Sequence, residues 1–304
     1  MGYDMMLRPY QPNDLPAVTH FIGRCWQRDA SRNYHPGDFV HWMSNSYRGE
    51  NLEHHFHIVE ENNQIRAVVE LDANPGSYAH VLDAHGRDDA WELAFHRACI
   101  TILRERVQKP GSQSIKVNLA AEDKAGKTCL EKLGFKAQKA DHIVMKCALD
   151  SIPKAQLPDG YSLRSVAGEH EALLLAEVHN AAFKPKWSEA EYRKVMQTAG
   201  FDPARELIVA APDGCFAAFG VIWFDPVSRS GLFEPIGCHR EFTRRGLTKA
   251  LIFTGMARMK DAGMETAIVG CEVTNIAAFK LYRSTGFELY FETVDFVLEL
   301  EDTS

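Results

Sequence analysis

The sequence has no Cys-x-x-Cys pair, and its seven cysteines are scattered and odd in number. That argues against a disulfide framework or a structural zinc site and fits a reducing compartment. Positive charge is not in excess: 34 Lys and Arg stand against 41 Asp and Glu, a net charge of −7. The balance argues against non-specific nucleic-acid binding and mildly favours cationic small partners. No apolar run approaches the roughly 18 residues of a membrane span, so no membrane partner is expected. The opening MGYDMMLRPYQ lacks a basic segment followed by an apolar one. Met6 also stands where a myristoylation signal needs Ser or Thr. A cytoplasmic protein is expected.

What is present is a 304-residue chain of ordinary globular composition, long enough for two domains. It carries traces of a repeat. Gly134–Phe135 and Gly286–Phe287 each end a helical pattern before an alternating strand, 152 residues apart. Leu7–Arg8 and Leu163–Arg164 open the two halves at a similar offset. A duplicated unit of roughly 145 residues is the reading. The polar, two-proline stretch SIPKAQLPDG, residues 151–160, reads as the linker between domains 1–150 and 161–304.

The second half reads as strand, two helices, a hairpin around Pro-Asp-Gly, and another strand. A helix, a strand, a helix and two final strands complete it. Its second helix opens with a capping box, Ser188 and Glu191. The first half follows the same order less cleanly. The fold class is α/β: two tandem domains, each a mixed sheet flanked by helices.

One stretch, EFTRRGLTKAL (Glu241 to Leu251), places two arginines and a glycine at a helix entry. A helix N-terminus has unpaired N–H donors and partial positive charge, so it can seat a phosphate. It can equally be an ordinary cap with solvated arginines. Behind it, Leu247, Ala250, Leu251, Thr254 and Ala257 share one helical face that anchors the helix. Downstream, Asn275 to Phe287 reads Asn-x-x-Ala-x-x-Leu-Tyr-x-x-x-Gly-Phe.

This order of elements, the loop Thr243-Arg244-Arg245-Gly246-Leu247-Thr248 and the Asn275–Phe287 segment resemble the GCN5-related N-acetyltransferases (GNAT). Thr243 and Thr248 depart from the family loop; the central glycine and the whole later segment match it. The tandem plan with a degenerate first half is similar to that of mycothiol synthases. The resemblance implies an N-acetyltransferase moving an acetyl group from acetyl-CoA to a primary amine by direct attack. A mycothiol-synthase-like acceptor is a narrower option, a small thiol-sugar amine. The alternative is a regulatory module that binds an acyl-CoA without turnover.

The resemblance also implies site residues. Arg244, Arg245, Gly246, Leu247 and Thr248 hold the pyrophosphate. Pro235 and Gly237 disturb the preceding strand, leaving the backbone of Ile236 and Cys238 for the cofactor amides. Tyr282 is the candidate acid for the departing thiolate. Asn275 caps its helix or bonds the pantetheine. Glu234 is the first choice of base, with Glu272 second; each reads equally as a sheet-surface charge. Cys238 reads as a small core residue rather than a nucleophile.

The first half lacks this equipment. Asp88 and Asp89 stand at its corresponding helix start, and Leu130 and Asp123 replace the tyrosine and asparagine. It is expected to bind no CoA and to survive as scaffold or as one wall of a substrate cleft between the domains. His54, His55 and His57 form a weak metal-like tract on what reads as a strand, so no metal is expected. Trp187 lines the acceptor pocket or packs on its helix; Trp26, Trp42 and Trp91 read as core.

Overall fold

A computed structural model describes residues 5–73, 76–83, 88–106, 114–183 and 187–300. Its first half runs β1 (Arg8–Pro9), α1 (Leu15–Arg28), α2 (Pro36–His41), α3 (Leu52–His55), β2 (Phe56–Glu61), β3 (Gln64–Asp72), β4 (Ser77–Leu82), α4 (Asp89–Arg106), β5 (Ser114–Ala120), α5 (Lys124–Lys132) and β6 (Lys136–Ala148). The second runs β7 (Ser162–Ser165), α6 (Ala172–Ala182), α7 (Glu189–Gln197), β8 (Glu206–Ala210), β9 (Phe216–Asp225), β10 (Ser230–Cys238), α8 (Leu247–Asp261), β11 (Thr266–Glu272), α9 (Ile276–Ser284) and β12 (Glu288–Glu299).

The repeat keeps its register through the last third of each half. β5 and β11, and α5 and α9, are displaced by 152 positions end to end. Asp123 and Asn275 occupy the same N-cap, accepting from the amides of Gly126 and Ala278 at 3.0 and 3.1 Å. The Ser188–Glu191 capping box at α7 forms as expected.

The strands make one mixed sheet in the order β1-β2-β3-β4-β5-β12-β6-β11-β10-β9-β8-β7. Each half therefore surrenders its last strand to the other. β12 lies between β5 and β6, and β6 lies between β12 and β11, all antiparallel. Where two closing strands were expected, residues 288–299 form a single strand. Its pairing with β6 shifts register between Leu289 and Phe291 and again between Thr293 and Phe296. Bulges let one strand bend while staying paired on both sides.

Four apolar clusters line this sheet, one of them packing α6 and α7 on β8 and β9. Another belongs to the second half, around Phe233, Leu251 and Phe287. One belongs to the first, around Trp91, Phe95 and Phe296. The fourth joins the halves: Phe21, Phe39 and Phe56 pack with Trp223, Leu232 and Phe291. Each fully buried Phe contributes about 1.5–3 kcal/mol, so this shared cluster binds the halves firmly. α2 seats directly on β9 because Gly37 has no side chain. A Cβ there would lie 2.6 Å from the Trp223 side chain.

Two sequence expectations are corrected. His54 and His55 end a helical turn, α3, and only His57 lies on a strand; no cluster of metal-ligating residues forms among the described residues. The buried residues of α8 are Leu247, Ala250, Leu251, Ile252, Phe253, Gly255, Met256 and Met259, whereas Thr254 and Ala257 are only half-buried. The partly buried linker residues Ile152, Ala155 and Leu157 pack against the cluster that α8 enters, and the helix's buried surface is broader than one stripe.

Candidate active site

β10 and β11 run parallel but pair only from Ser230–Phe233 against Thr266–Val269. Beyond Phe233, β10 is bulged, and its pairing with β9 resumes at Ile236. β11 continues instead along β6 as far as Glu272. The two strands thus diverge, opening a wedge. The amide of His239 donates to the Ala217 carbonyl on β9. Successive backbone groups alternate sides, so those of Cys238 and Ile236 face the wedge. Gly237 lies on the packed side, where a Cβ would meet Phe219 and Ala182.

The end of the wedge meets α8. Gly246 caps this helix in the left-handed region at φ 78°, preceded by Arg244 at φ 63°. A side chain at Gly246 would meet nothing within 4 Å, so the space outside the cap is open. Within the helix the amides of Leu247, Thr248 and Lys249 have no carbonyl to reach. The Leu247 side chain is buried and fixes the helix end, and Thr248 lies against the Cys238 thiol. Arg244 is exposed. Arg245 is held by Tyr161, whose hydroxyl accepts at 2.6 Å, and lies over the Phe242 ring.

Tyr282 projects from α9 into the second-half core beside Phe287. Its hydroxyl has no protein partner among the described residues. Burial, then the charges of Glu234 and Cys271, hold its pKa well above the usual value. It is therefore a protonated donor at neutral pH. Burial likewise raises the Cys238 thiol, which leaves it a poor nucleophile.

Glu234 sits at the bulge. Its backbone carbonyl accepts from the Trp223 indole at 2.7 Å. Its side chain enters a cavity of about 380 Å³ lined by both halves, including Tyr34, Asp38, Trp42, Asp141 and His142. Its side chain keeps 36% of its surface accessible; its enclosure within the fold, then the charge of Asp38, pushes the Glu234 carboxyl up to about 8. His41 Nε2 stands 3.7 Å from Glu234 Oε1, and burial lowers this imidazole to about 3, so it is neutral. Glu272 is exposed, accepts from the Thr274 hydroxyl at 3.3 Å, and does not line this cavity. Trp187 also lies elsewhere, packed near Tyr192 and under Arg48. Trp26 and Trp42 line the cavity; Trp91 is core.

Asp38 and His41 escaped the sequence reading. Their signal was local: Pro36 opens a helix on which positions 38 and 41 share a face. What they face was set by the other half.

The first half repeats the wedge in closed form. β4 and β5 pair only at Ser77–Lys116 and Tyr78–Val117. The Asp83 amide donates to Arg66, so the Leu82 amide faces the wedge, as Cys238 does in the second half. There Asn33 Oδ1 accepts it at 3.3 Å. Next to it Arg32 bonds Asp123 at 2.9 Å and Glu92 at 3.1 Å. Residues 84–87 of the corresponding helix entry lie outside the described residues.

Residues 173–287 match the model of the acetyltransferase (GNAT) family. That match spans most of the second half. Across most of its length the chain is similar to mycothiol acetyltransferases. That of Nocardia farcinica is 26% identical, covering 72% of this chain and 78% of the relative. That of Mycobacterium ulcerans is 25% identical, covering 77% and 83%. In fold the chain is similar to a tandem GNAT protein from the clavulanic acid biosynthesis pathway (TM-score 0.67, 15% identity, 99% and 100% covered). It is also similar to a GCN5-related N-acetyltransferase of Sphaerobacter thermophilus (TM-score 0.66, 18% identity, 98% and 97% covered). The chain is an acyl-CoA-dependent acetyltransferase of tandem GNAT architecture. No helix among the described residues is long and apolar enough to cross a membrane.

Proposed function

We propose that the second half transfers an acetyl group from acetyl-CoA to the primary amine of a small molecule, by direct attack and at one site per chain. One observation carries the reading. β10 and β11 diverge where Glu234 lines a cavity, Thr248 of the uncovered helix start reaches the Cys238 thiol beyond the bulge, and a buried tyrosine, Tyr282, has a hydroxyl without a partner among the described residues.

The open backbone of Ile236 and Cys238 suits the amides of a pantetheine arm. The amides at Leu247 and Thr248, with Gly246 keeping the backbone approachable, suit a pyrophosphate. Arg244 adds charge there; Arg245 lends its charge from a fixed position on Tyr161. Asn275 serves as the cap of α9 and so aims Tyr282, one face and two turns further on.

In the transfer, Glu234 takes a proton from the acceptor's ammonium and frees its lone pair. The nitrogen attacks the thioester carbonyl, a C–N bond forms and the C–S bond breaks. Tyr282 gives its proton to the departing thiolate. The attacking nitrogen loses its second proton to solvent as the tetrahedral intermediate collapses, the products are an amide and a thiol, and the protonated Glu234 and ionised Tyr282 re-equilibrate with solvent. The relatives' names favour a sugar-linked amine bearing a thiol as acceptor. The cavity's size, about 380 Å³, lies within the range of small-molecule sites.

The test is thiol release from acetyl-CoA with a panel of primary amines, including glucosamine and its cysteinyl amide. Amine-dependent release with formation of the N-acetyl product is the expected result. Saturable CoA binding without any acetyl product would overturn the reading.

A further inference from the structure

We infer that His41, supplied by the first half, is the positioning partner of the base. Its Nε2–H holds one oxygen of the ionised Glu234 carboxyl, which leaves the other to face the acceptor amine. The inference rests on the reading of Glu234 as base and adds a residue that is not among those lining the cavity.

His41 ends α2. Its Nε2 stands 3.7 Å from Glu234 Oε1, just beyond hydrogen-bond range. Contacts of this kind are often long in a free enzyme and tighten once substrate is bound. The opposite ring nitrogen, Nδ1, is buried and has no partner among the described residues. Enclosing a polar ring without hydrogen bonds is costly, and an apolar side chain would fill the place without that cost. Two other histidines at the junction of the halves are occupied. His35 accepts from the Gly37 amide at 2.9 Å and meets the Ser230 hydroxyl at 3.0 Å. His179, which faces His41 from α6, is bonded to the Tyr192 hydroxyl at 3.0 Å and held toward its neutral form by burial. Among the described residues, the polar group left for His41 is the Glu234 carboxyl.

The other groups around Glu234 make an N–H donor useful there. Asp38 on α2 and Tyr282 on α9 oppose its ionisation, one by its charge and one by the charge it develops. Across the cavity Asp141 adds another carboxyl, and His142 and Tyr34 are held neutral by burial. The Arg32 guanidinium is committed to Asp123 and Glu92. His41 is itself kept neutral by burial, so one ring nitrogen carries a proton. On Nε2 that proton meets a carboxylate; on Nδ1 it meets no acceptor among the described residues. Ionisation of Glu234 therefore selects the Nε2–H tautomer. In the transfer the ammonium proton moves to the free oxygen of Glu234, and His41 keeps its own proton throughout.

The test compares two variants of equal side-chain length. His41→Gln keeps an N–H near the place of Nε2, and His41→Met has none. Full-length protein with carbon-13-labelled Glu carboxyls is titrated by NMR without substrate, the Glu234 signal being the one lost in Glu234→Gln. A donor to the ionised form lowers a carboxyl's midpoint. The midpoint in His41→Met should therefore lie about one pH unit above wild type, and His41→Gln should restore most of the difference. A merely structural role would move both variants alike, so equal midpoints in the two variants overturn the inference. Wild type alone gives a second readout. Nitrogen-15 shifts of His41 should report the Nε2–H tautomer at about pH 9, where Glu234 is largely ionised. An Nδ1–H tautomer there overturns the inference even if His41→Met does not fold. In turnover, the rise of kcat/KM with pH should follow the carboxyl midpoint. His41→Met should then lose about 10-fold at about pH 7, and His41→Gln should regain most of it. The expected NMR results without acetyl transfer to any amine would overturn the transferase reading and leave the pair standing.

Discussion

Asn33 stands against the Leu82 amide as a built-in substitute for a ligand. Its side-chain carbonyl accepts, at 3.3 Å, from the one backbone position whose counterpart in the second half, Cys238, faces an open wedge. A donor satisfied within the chain has nothing to gain from a pantetheine amide. With Arg32 beside it on the same cavity wall, the first wedge offers its own side chains where a cofactor amide would pair. Calorimetry with acetyl-CoA on the full chain should therefore give one site. A second binding event that survives disruption of the Gly246 loop would contradict this.

That loop can be tested by separating backbone from charge. Gly246→Asn keeps a residue that tolerates positive φ, and its Cβ meets no protein atom within 4 Å. It should cost CoA affinity about 10-fold by crowding the approach of a phosphate. Gly246→Asp has the same shape and adds a negative charge facing the pyrophosphate. Its loss should exceed that of Asn by a further factor of about 10 or more. Equal losses would mean that charge at this position is irrelevant.

Tyr282→Phe removes only the hydroxyl and keeps the ring beside Phe287. A proton donor to the leaving thiolate is worth about 100-fold or more in rate. We expect kcat to fall by that order while CoA affinity changes little. An unchanged kcat in pre-steady-state chemistry would remove Tyr282 as the acid.

The pH profile should show Glu234. Burial, and then Asp38, raise its carboxyl from 4.5 to about 8. A base works ionised, so kcat/KM should climb through about pH 8, and the climb should vanish in Glu234→Gln together with most of the rate. Stability carries the opposite sign. A raised carboxyl binds its proton more tightly in the folded state than in the unfolded chain. The native state is therefore favoured at pH 4 and loses that advantage as pH rises through 8. The Tm of Glu234→Gln relative to wild type should increase between about pH 5 and pH 8.5. A constant difference would show that Glu234 is not held in this way.

Much of the second half was legible because its signals are local. A capping box, a Gly-Phe helix stop and the Asn275–Tyr282 spacing each depend on neighbours within one or two turns. The disturbed strand at Pro235 was legible for the same reason: proline cannot pair freely wherever it lies. The roles of Arg244 and Arg245 were not separable, since the partner of Arg245, Tyr161, lies 84 residues away. Asp38 and His41 were invisible as site residues because their meaning depends on a strand nearly 200 positions later. The exchange of β6 and β12 was hidden for a different reason. An alternating strand specifies which face is apolar, not which neighbour it joins.

That exchange bears on how such a chain can change. If the linker at 151–160 were cut, two fragments would remain interlocked, each filling a gap in the other. If residues 1–150 were removed, β11 and β12 would lose the strand that lies between them. The first half is thus tied into the sheet for mechanical reasons whether or not it meets a ligand. Its own strand wedge is free to vary, while its sixth strand, paired between β12 and β11, stays under the constraints of its twin.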